Sequence, residues 1–406
     1  SMADFNINHI TGKQGQQGTV LAGVTTVSST GAMRIPSGPT EQRGGRGRGL
    51  IAGGRTQVNT IEYITIASAG NATDFGDLTI KRDYPAGAGS PVRGLWFGGA
   101  EPGFRTVIDY AVFSSKGGAS DFGDMSIAVF QNYSLSNETR GFTAGGLSAP
   151  SPGYTYNNII EYVTMATAGN TSNYGDLVST TGSGASCASP TRGIFYCGSG
   201  PLSPYNQTIQ YITISTTGDA IEFGEATKTG NANASGASSS TRGVFAGGQF
   251  ASPHPVTNII DYITIATTGN SADFGDLTAA KCQMSGMSSK TRACFAGGST
   301  GSEINNIDYV TIASTGNATD FGDMTAATWG GHACSSNTRW VYAGGSAPGY
   351  VNTIQYLTIA TTGNAADFGD LKQTAGYNAS TSNGSRGIWA GADPTSTFLN
   401  IIQYVE

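Results

Sequence analysis

Eight times along its 406 residues the chain returns to one phrase: an Arg, a short apolar run usually ending in a Gly pair, a variable stretch, and an Ile-x-Tyr run. The Arg markers are Arg48, Arg93, Arg140, Arg192, Arg242, Arg292, Arg339 and Arg386, and the Tyr markers are Tyr63, Tyr110, Tyr162, Tyr211, Tyr262, Tyr309, Tyr356 and Tyr404. Successive markers stand about 45 to 52 residues apart, the length of one propeller blade. A unit of this size cannot bury both faces of its own sheet, so it must stack on its neighbours. A third phrase, Asp-Phe-Gly-Asp-Leu/Met, closes most units, as at Asp74 to Leu78 and Asp320 to Met324, with drifted copies at Asn173 to Leu177 and Glu222 to Ala226.

A length that would otherwise imply two or three domains therefore reads as one repeat array. Sixty glycines leave little helix-forming material, while Ile, Val, Thr, Tyr and Phe gather in short runs bounded by Gly, Asn and Pro. The chain is expected to be all-β. With 12% charged residues and a formal net charge of −6, it lacks the dense basic face of a nucleic-acid binder. Five cysteines, Cys187, Cys197, Cys282, Cys294 and Cys334, are odd in number and missing from half of the units, so they read as small buried fillers and not as a disulfide framework. Three histidines and no CxxC or HxxxH spacing imply no metal site and no cofactor. No apolar run approaches the roughly 20 residues that span a bilayer, so no membrane insertion is expected.

The unit from Ser285 to Met324 resolves into four strands, a to d. They are a small polar run (Ser285 to Ser289), an apolar run (Ala293 to Gly298), an alternating run (Asn306 to Ala313) and the short Asp-Phe-Gly-Asp run. Small residues suit strand a beside a crowded axis, and strand c is apolar on both faces because blades pack front and back. In an up-and-down meander the near-invariant a–b and c–d turns share one face of the ring. Variable b–c loops and d–a connections share the other.

Strands b and c occur eight times, whereas a and d are unambiguous only seven times. The expectation is a single propeller of four-stranded blades, eight in number with seven as the alternative, closed by the N-terminal segment. Residues 18–24 would supply the missing outer strand and 31–42 the inner one, so that 1–47 and the array 48–406 form one domain.

The repeated motifs read as architecture. Asp-Phe-Gly is also the magnesium-binding segment of protein kinases, but no Gly-rich loop, strand Lys or His-Arg-Asp loop accompanies it. A calcium site would lack its third and fourth oxygen ligands. The first Asp is expected to cap its own turn and the second to pair with a repeat Arg, which, kept in every copy, serves a need common to all. Aromatics of the variable face are the better ligand candidates, because sugar rings present C–H faces that pack on them. These are Tyr154, Tyr156, Tyr205, His254, Trp329 and Tyr350. No catalytic residue is assigned: Asp83, Glu101, Glu303 and Asp393 are scattered and do not form a placed carboxylate pair.

The Gly pair, the Tyr and the downstream aromatic resemble, in that order, the kelch family, with Phe or Tyr where kelch blades carry Trp; the resemblance implies a propeller and nothing narrower. Gly31 to Arg43 is similar to a segment recurring in tail-fibre and other virion proteins of tailed phages, departing from it at Pro39 and Gly44. The Thr-Gly-Asn-Ala-x-Asp-Phe-Gly-Asp-Leu units resemble structural proteins of marine cyanophages. Together these imply a non-enzymatic virion protein, tail-associated or decorating, whose partners are a host surface glycan or protein and other virion proteins. The alternatives are a kelch-like polysaccharide-acting enzyme and a purely structural virion component.

Overall fold

The computed structural model describes residues 59–376, except 67, 83, 101–102, 116, 149–154, 202–205, 229–231, 251–254 and 337. It also describes the strands Val20–Leu21, Thr25–Thr26, Arg48–Ala52, Ala379–Ser382 and Gly387–Ile388. Two compact units are present, Ser1–Pro36 and Ser37–Glu406. In the first, Val20–Leu21 pairs antiparallel with Thr25–Thr26. The second is a β-propeller, with no helix among the described residues.

Six four-stranded sheets span 86–124, 133–176, 185–225, 235–276, 285–323 and 332–375, each a meander whose strands pair in sequence order. In the first of them, Ala86–Gly89, Arg93–Phe97, Val107–Val112 and Ser120–Asp124 run from the inside outwards. Their inner strands are short and small because they lie side by side. Ser134 Oγ donates to the Gly87 carbonyl at 2.7 Å and Ser186 Oγ to the Ser134 carbonyl at 2.9 Å, linking three successive sheets. A Cβ at Gly286 would lie 2.3 Å from Ser235 Oγ.

The Asp-Phe-Gly-Asp phrase encodes a bulge and a docking point. Ile108 faces Gly123 and Asp109 faces Asp121, which leaves Phe122 as the extra residue of the outer strand. The bulge turns Phe122 inward, where it meets Tyr110 edge-on at 5.5 Å. Asp121 Oδ1 spans the bulge by accepting the Gly123 N–H at 2.9 Å, the turn-capping role expected of the first Asp. Gly123 has φ 142°, and a Cβ there would lie 2.4 Å from the Gly169 carbonyl carbon in the next sheet's c–d turn. That turn is stitched on by Gly169 N–H to the Phe122 carbonyl at 2.6 Å and by Asp124 N–H to Asn170 Oδ1 at 3.0 Å.

The repeat Arg completes the stack. Arg93 lies over the Tyr110 ring at 4.9 Å and donates through Nη1 to the Met165 carbonyl of the following sheet at 3.0 Å. Arg140, Arg192, Arg242, Arg292 and Arg339 do the same, each with its own Tyr and a carbonyl of the next sheet. The expected pairing of the second Asp with this Arg is thereby corrected. Among the described residues the ion pairs are Arg82–Asp109 and Lys281–Asp308, and neither uses a repeat Arg. A guanidinium stacked on Tyr is held with Nη1 on a carbonyl that follows strand c of the next sheet. The side chains of Arg48 and Arg386 lie outside the described residues.

The blade count and the role of the N-terminus are also corrected. Beside the six four-stranded blades stands a five-stranded sheet in the order Gly387–Ile388, Ala379–Ser382, Arg48–Ala52, Thr60–Thr65, Thr73–Asp77. Eight blades would need Ala379–Ser382 to pair only within the last unit, with Gly387–Ile388. It also pairs along Arg48–Ala52, with Gly49 opposite Ser382 and Ala52 opposite Ala379, which joins the two ends of the array in one sheet. Residues 18–24 give Val20–Leu21 to a local pairing, and 31–42 lie outside the described residues. The physical reason is economy of edges: the first unit lacks an inner strand, the last unit has one, and each satisfies the other's open edge.

The stitches between neighbouring four-stranded sheets recur between the sheet 332–375 and this mixed sheet. Gly70 N–H donates to the Phe368 carbonyl at 2.6 Å, Arg339 Nη1 to the Ile66 carbonyl at 3.0 Å, and Lys372 N–H to Glu62 Oε1 at 2.9 Å. Ala379–Ser382 also lies against both His332–Ser335 and Ala86–Gly89.

Candidate functional site

The most strongly perturbed ionisable groups of the described residues are parts of the framework. The middle residue of every Ile-x-Tyr phrase from Glu62 to Gln355 is buried: Glu62, Asp109, Glu161, Gln210, Asp261, Asp308 and Gln355. Its side-chain oxygens take the hydrogen bonds that the end of the preceding outer strand leaves open. Thr79 N–H and Oγ1 bind Asp109, Val178 N–H binds Gln210 Oε1 at 2.6 Å, and Thr325 N–H binds Gln355 Oε1 at 2.7 Å.

The charge of this residue is matched two residues before the blade's left-handed turn. Asp109 has Arg82 at 2.7 Å and Asp308 has Lys281 at 2.9 Å, whereas the blades carrying neutral Gln210 and Gln355 have Thr181 and Thr328 at that place. A buried carboxylate is costly without a cation or several donors. Asp261 is satisfied without one, by Tyr196 Oη, Thr227 and Ser271. At Glu62, no hydrogen bond reaches Oε2 among the described residues, and burial pushes the pKa up to about 8. The sequence marked strand c as apolar on both faces and missed this residue. Its signal was present in the acid or amide kept between Ile and Tyr.

The five described cysteines are free and buried, as fillers are, and burial raises the Cys187, Cys282, Cys294 and Cys334 thiols. Among the described residues no group of three His, Cys, Asp or Glu side chains is placed to hold a metal ion. No helix among them is long and apolar enough to cross a membrane.

On the opposite side from the Arg turns, at the starts of the inner strands, a cavity of about 660 Å³ opens along the blade axes. Its rim has a distinctive backbone. Two residues before each inner strand stands Tyr84, Gln131, Ser183, Asn233, Gln283 or Gly330, and all six have left-handed φ, from 50° to 66°. Their peptides form a hydrogen-bonded collar from sheet to sheet. Ser183 N–H donates to the Gln131 carbonyl at 3.0 Å, Asn233 N–H to Ser183 at 2.9 Å, Gln283 N–H to Asn233 at 3.1 Å and Gly330 N–H to Gln283 at 3.3 Å.

Left-handed backbone costs a residue with a Cβ on the order of 1 kcal/mol relative to Gly. Gly330 shows that Gly fits the slot, yet five of the six copies carry a side chain, and these residues line the cavity. His332 and Tyr156 line it as well. Burial lowers the His332 pKa to about 4, so the half-buried imidazole is neutral at neutral pH.

Of the aromatic residues singled out in the sequence, the described ones are Tyr156, Trp329 and Tyr350. Tyr154, Tyr205 and His254 lie outside the described residues. Tyr156 sits on the hairpin Leu147–Ser148/Thr155–Tyr156 and reaches the cavity. Trp329 and Tyr350 are neighbours elsewhere, each bridged through its backbone to Ser346. The Tyr350 ring covers Gly376, where a Cβ would come within 2.5 Å of it, so this Tyr packs on its own blade. The variable connections hold one further aromatic group, Phe104 stacked on Phe130 at 4.6 Å with Tyr84 edge-on to Phe130 at 6.0 Å. The collar escaped sequence reading because left-handed geometry is usually announced by Gly, and here it is carried by Gln, Ser, Asn and Tyr.

No protein-family model matches the chain, and no curated protein matches it. Among solved structures, that of YjhT superposes with a TM-score of 0.56 at 13% identity, covering 71% of this chain and 97% of that one. At that identity the likeness shows a shared repeat-built propeller fold, and the chain is similar to that protein in fold alone.

Proposed function

We propose that this protein is a non-enzymatic recognition module of a tailed-phage particle, binding a host surface glycan through the axial mouth on its variable face. The observation that carries the reading is the collar. Five equivalent positions keep polar or aromatic residues in a backbone conformation that glycine adopts with less strain, and all five line one cavity. Strain retained at a concave site points to use of the side chains there. The phage setting rests on the likeness of residues 31–43 to tail-fibre segments. A non-catalytic role is favoured by the lining, which among the described residues contains amides, hydroxyls, Met and His but no carboxylate pair of the kind glycoside hydrolysis uses.

The test is to incubate labelled protein with host cells and isolated surface polysaccharide while assaying reducing-sugar release. Binding without release is expected. Release would favour the kelch-like enzyme, and absence of binding would favour a purely structural virion component.

A further inference from the structure

Resting on the reading that the axial mouth binds a ligand, we infer that the mouth selects the uncharged, hydroxyl-rich end of a neutral polysaccharide and discriminates against acidic ones. The collar supplies Tyr84, Gln131, Ser183, Asn233 and Gln283, with His332 one step deeper at the start of its inner strand. A carboxamide or a hydroxyl both donates and accepts, as does a sugar hydroxyl; Ser183 Oγ donates to Gln131 Oε1 at 3.1 Å, which leaves the Gln131 amide N–H groups and the Ser183 lone pairs for a ligand hydroxyl. No Lys, Arg, Asp or Glu stands among the described lining residues. A uronate or sulfate entering here would lose hydration and meet no counter-charge among the described lining residues, and that is costly. The volume, about 660 Å³, lies in the usual range for small-ligand cavities, so the mouth holds a chain end and not a wrapped polymer.

The collar also provides its own control. At Gly330 the same turn has no side chain, so glycine is compatible with the backbone hydrogen bonds that pass around the rim. Replacing Gln131, Asn233 and Gln283 with Gly removes three ligand groups while keeping the φ that glycine favours. A structural role for these side chains would show as lost stability; a ligand role would show as lost affinity at unchanged or higher melting temperature.

The experiment uses the full chain and this triple variant on an array of neutral and acidic oligosaccharides of matched length, with calorimetry on the best binders and thermal melts of both proteins. Expected are binding to neutral members, a loss of at least about tenfold in affinity in the variant, and an unchanged or higher melting temperature. Binding confined to acidic members but lost in the variant would overturn the ligand class and leave the mouth as a binding site. Binding that survives the triple substitution would overturn both, as would binding to no member of the array. A variant that melts markedly lower would assign the side chains to the fold and overturn the inference.

Discussion

The two faces of the propeller use the same number of repeats in opposite ways. On the Arg face the copies make the same contacts with nearly the same residues: Arg over Tyr, Tyr against Phe or Tyr, Asp or Asn across the bulge in most copies, and a Gly-led turn against the preceding blade's Gly. On the axial mouth the backbone repeats but the side chains do not: Tyr, Gln, Ser, Asn, Gln and Gly occupy one slot. Uniform side chains on a repeating backbone mark a joint between blades. Changing side chains on an equally regular backbone mark a surface that something else must fit.

The largest effect should come from removing the strand shared by the two ends of the array. Truncation after residue 376 deletes Ala379–Ser382 and exposes the edge of Arg48–Ala52 and the flanks of two neighbouring inner strands. We expect the melting temperature to fall by more than about 10 °C, whereas deletion of residues 1–36 should leave it within about 2 °C. The reverse order would return the closing role to the N-terminus.

Next in size is the buried pair. Arg82→Met strands the Asp109 carboxylate and should cost about 3–5 kcal/mol in urea unfolding. Adding Asp109→Gln should recover most of it, because Gln210 and Gln355 hold the same position without a cation. On the constant face, Arg242→Ala loses the bond to the Ile312 carbonyl and the stack on Tyr262, and should cost about 1–3 kcal/mol with no change in ligand binding.

Glu62 carries a pH signature. Its folded-state pKa, about 8, lies above its ordinary value of 4.5, so the protonated carboxyl is the form that the fold favours. Its contribution is fully present below pH 4.5 and is lost as pH rises through about 8. Glu62→Gln should therefore flatten that decline, raising stability near pH 8 by on the order of 1–4 kcal/mol and changing little near pH 4. Melts at a series of pH values would show it, and parallel curves for both proteins would refute the assignment.

The smallest effect is expected at the collar. Gln131→Ala should be less stable than Gln131→Gly by about 1 kcal/mol, since only Ala carries a Cβ into left-handed φ. Equal stability of the two variants would mean that the turn relaxes and that its strain carries no information about use.

The sequence by itself determined what is local or repeated. Alternating apolar runs specify strands, the Asp that caps its own Gly is a two-residue matter, and a residue kept in every copy declares itself architectural. It did not determine partners across the array. Gly49 to Ala52 and Ala379 to Ser382 lie more than three hundred residues apart, and each has near-identical competitors among the other units, so only packing of the assembled sheets selects the pairing. The same holds for the Arg, whose Tyr is in its own unit but whose carbonyl belongs to the next. It holds for the collar too: a left-handed Gln looks like any other Gln until the inner strands converge and fix its peptide between its neighbours. Repetition makes each unit legible and its partner ambiguous, because identical units offer identical edges, and the choice among them is made by contacts that exist only in the tertiary structure.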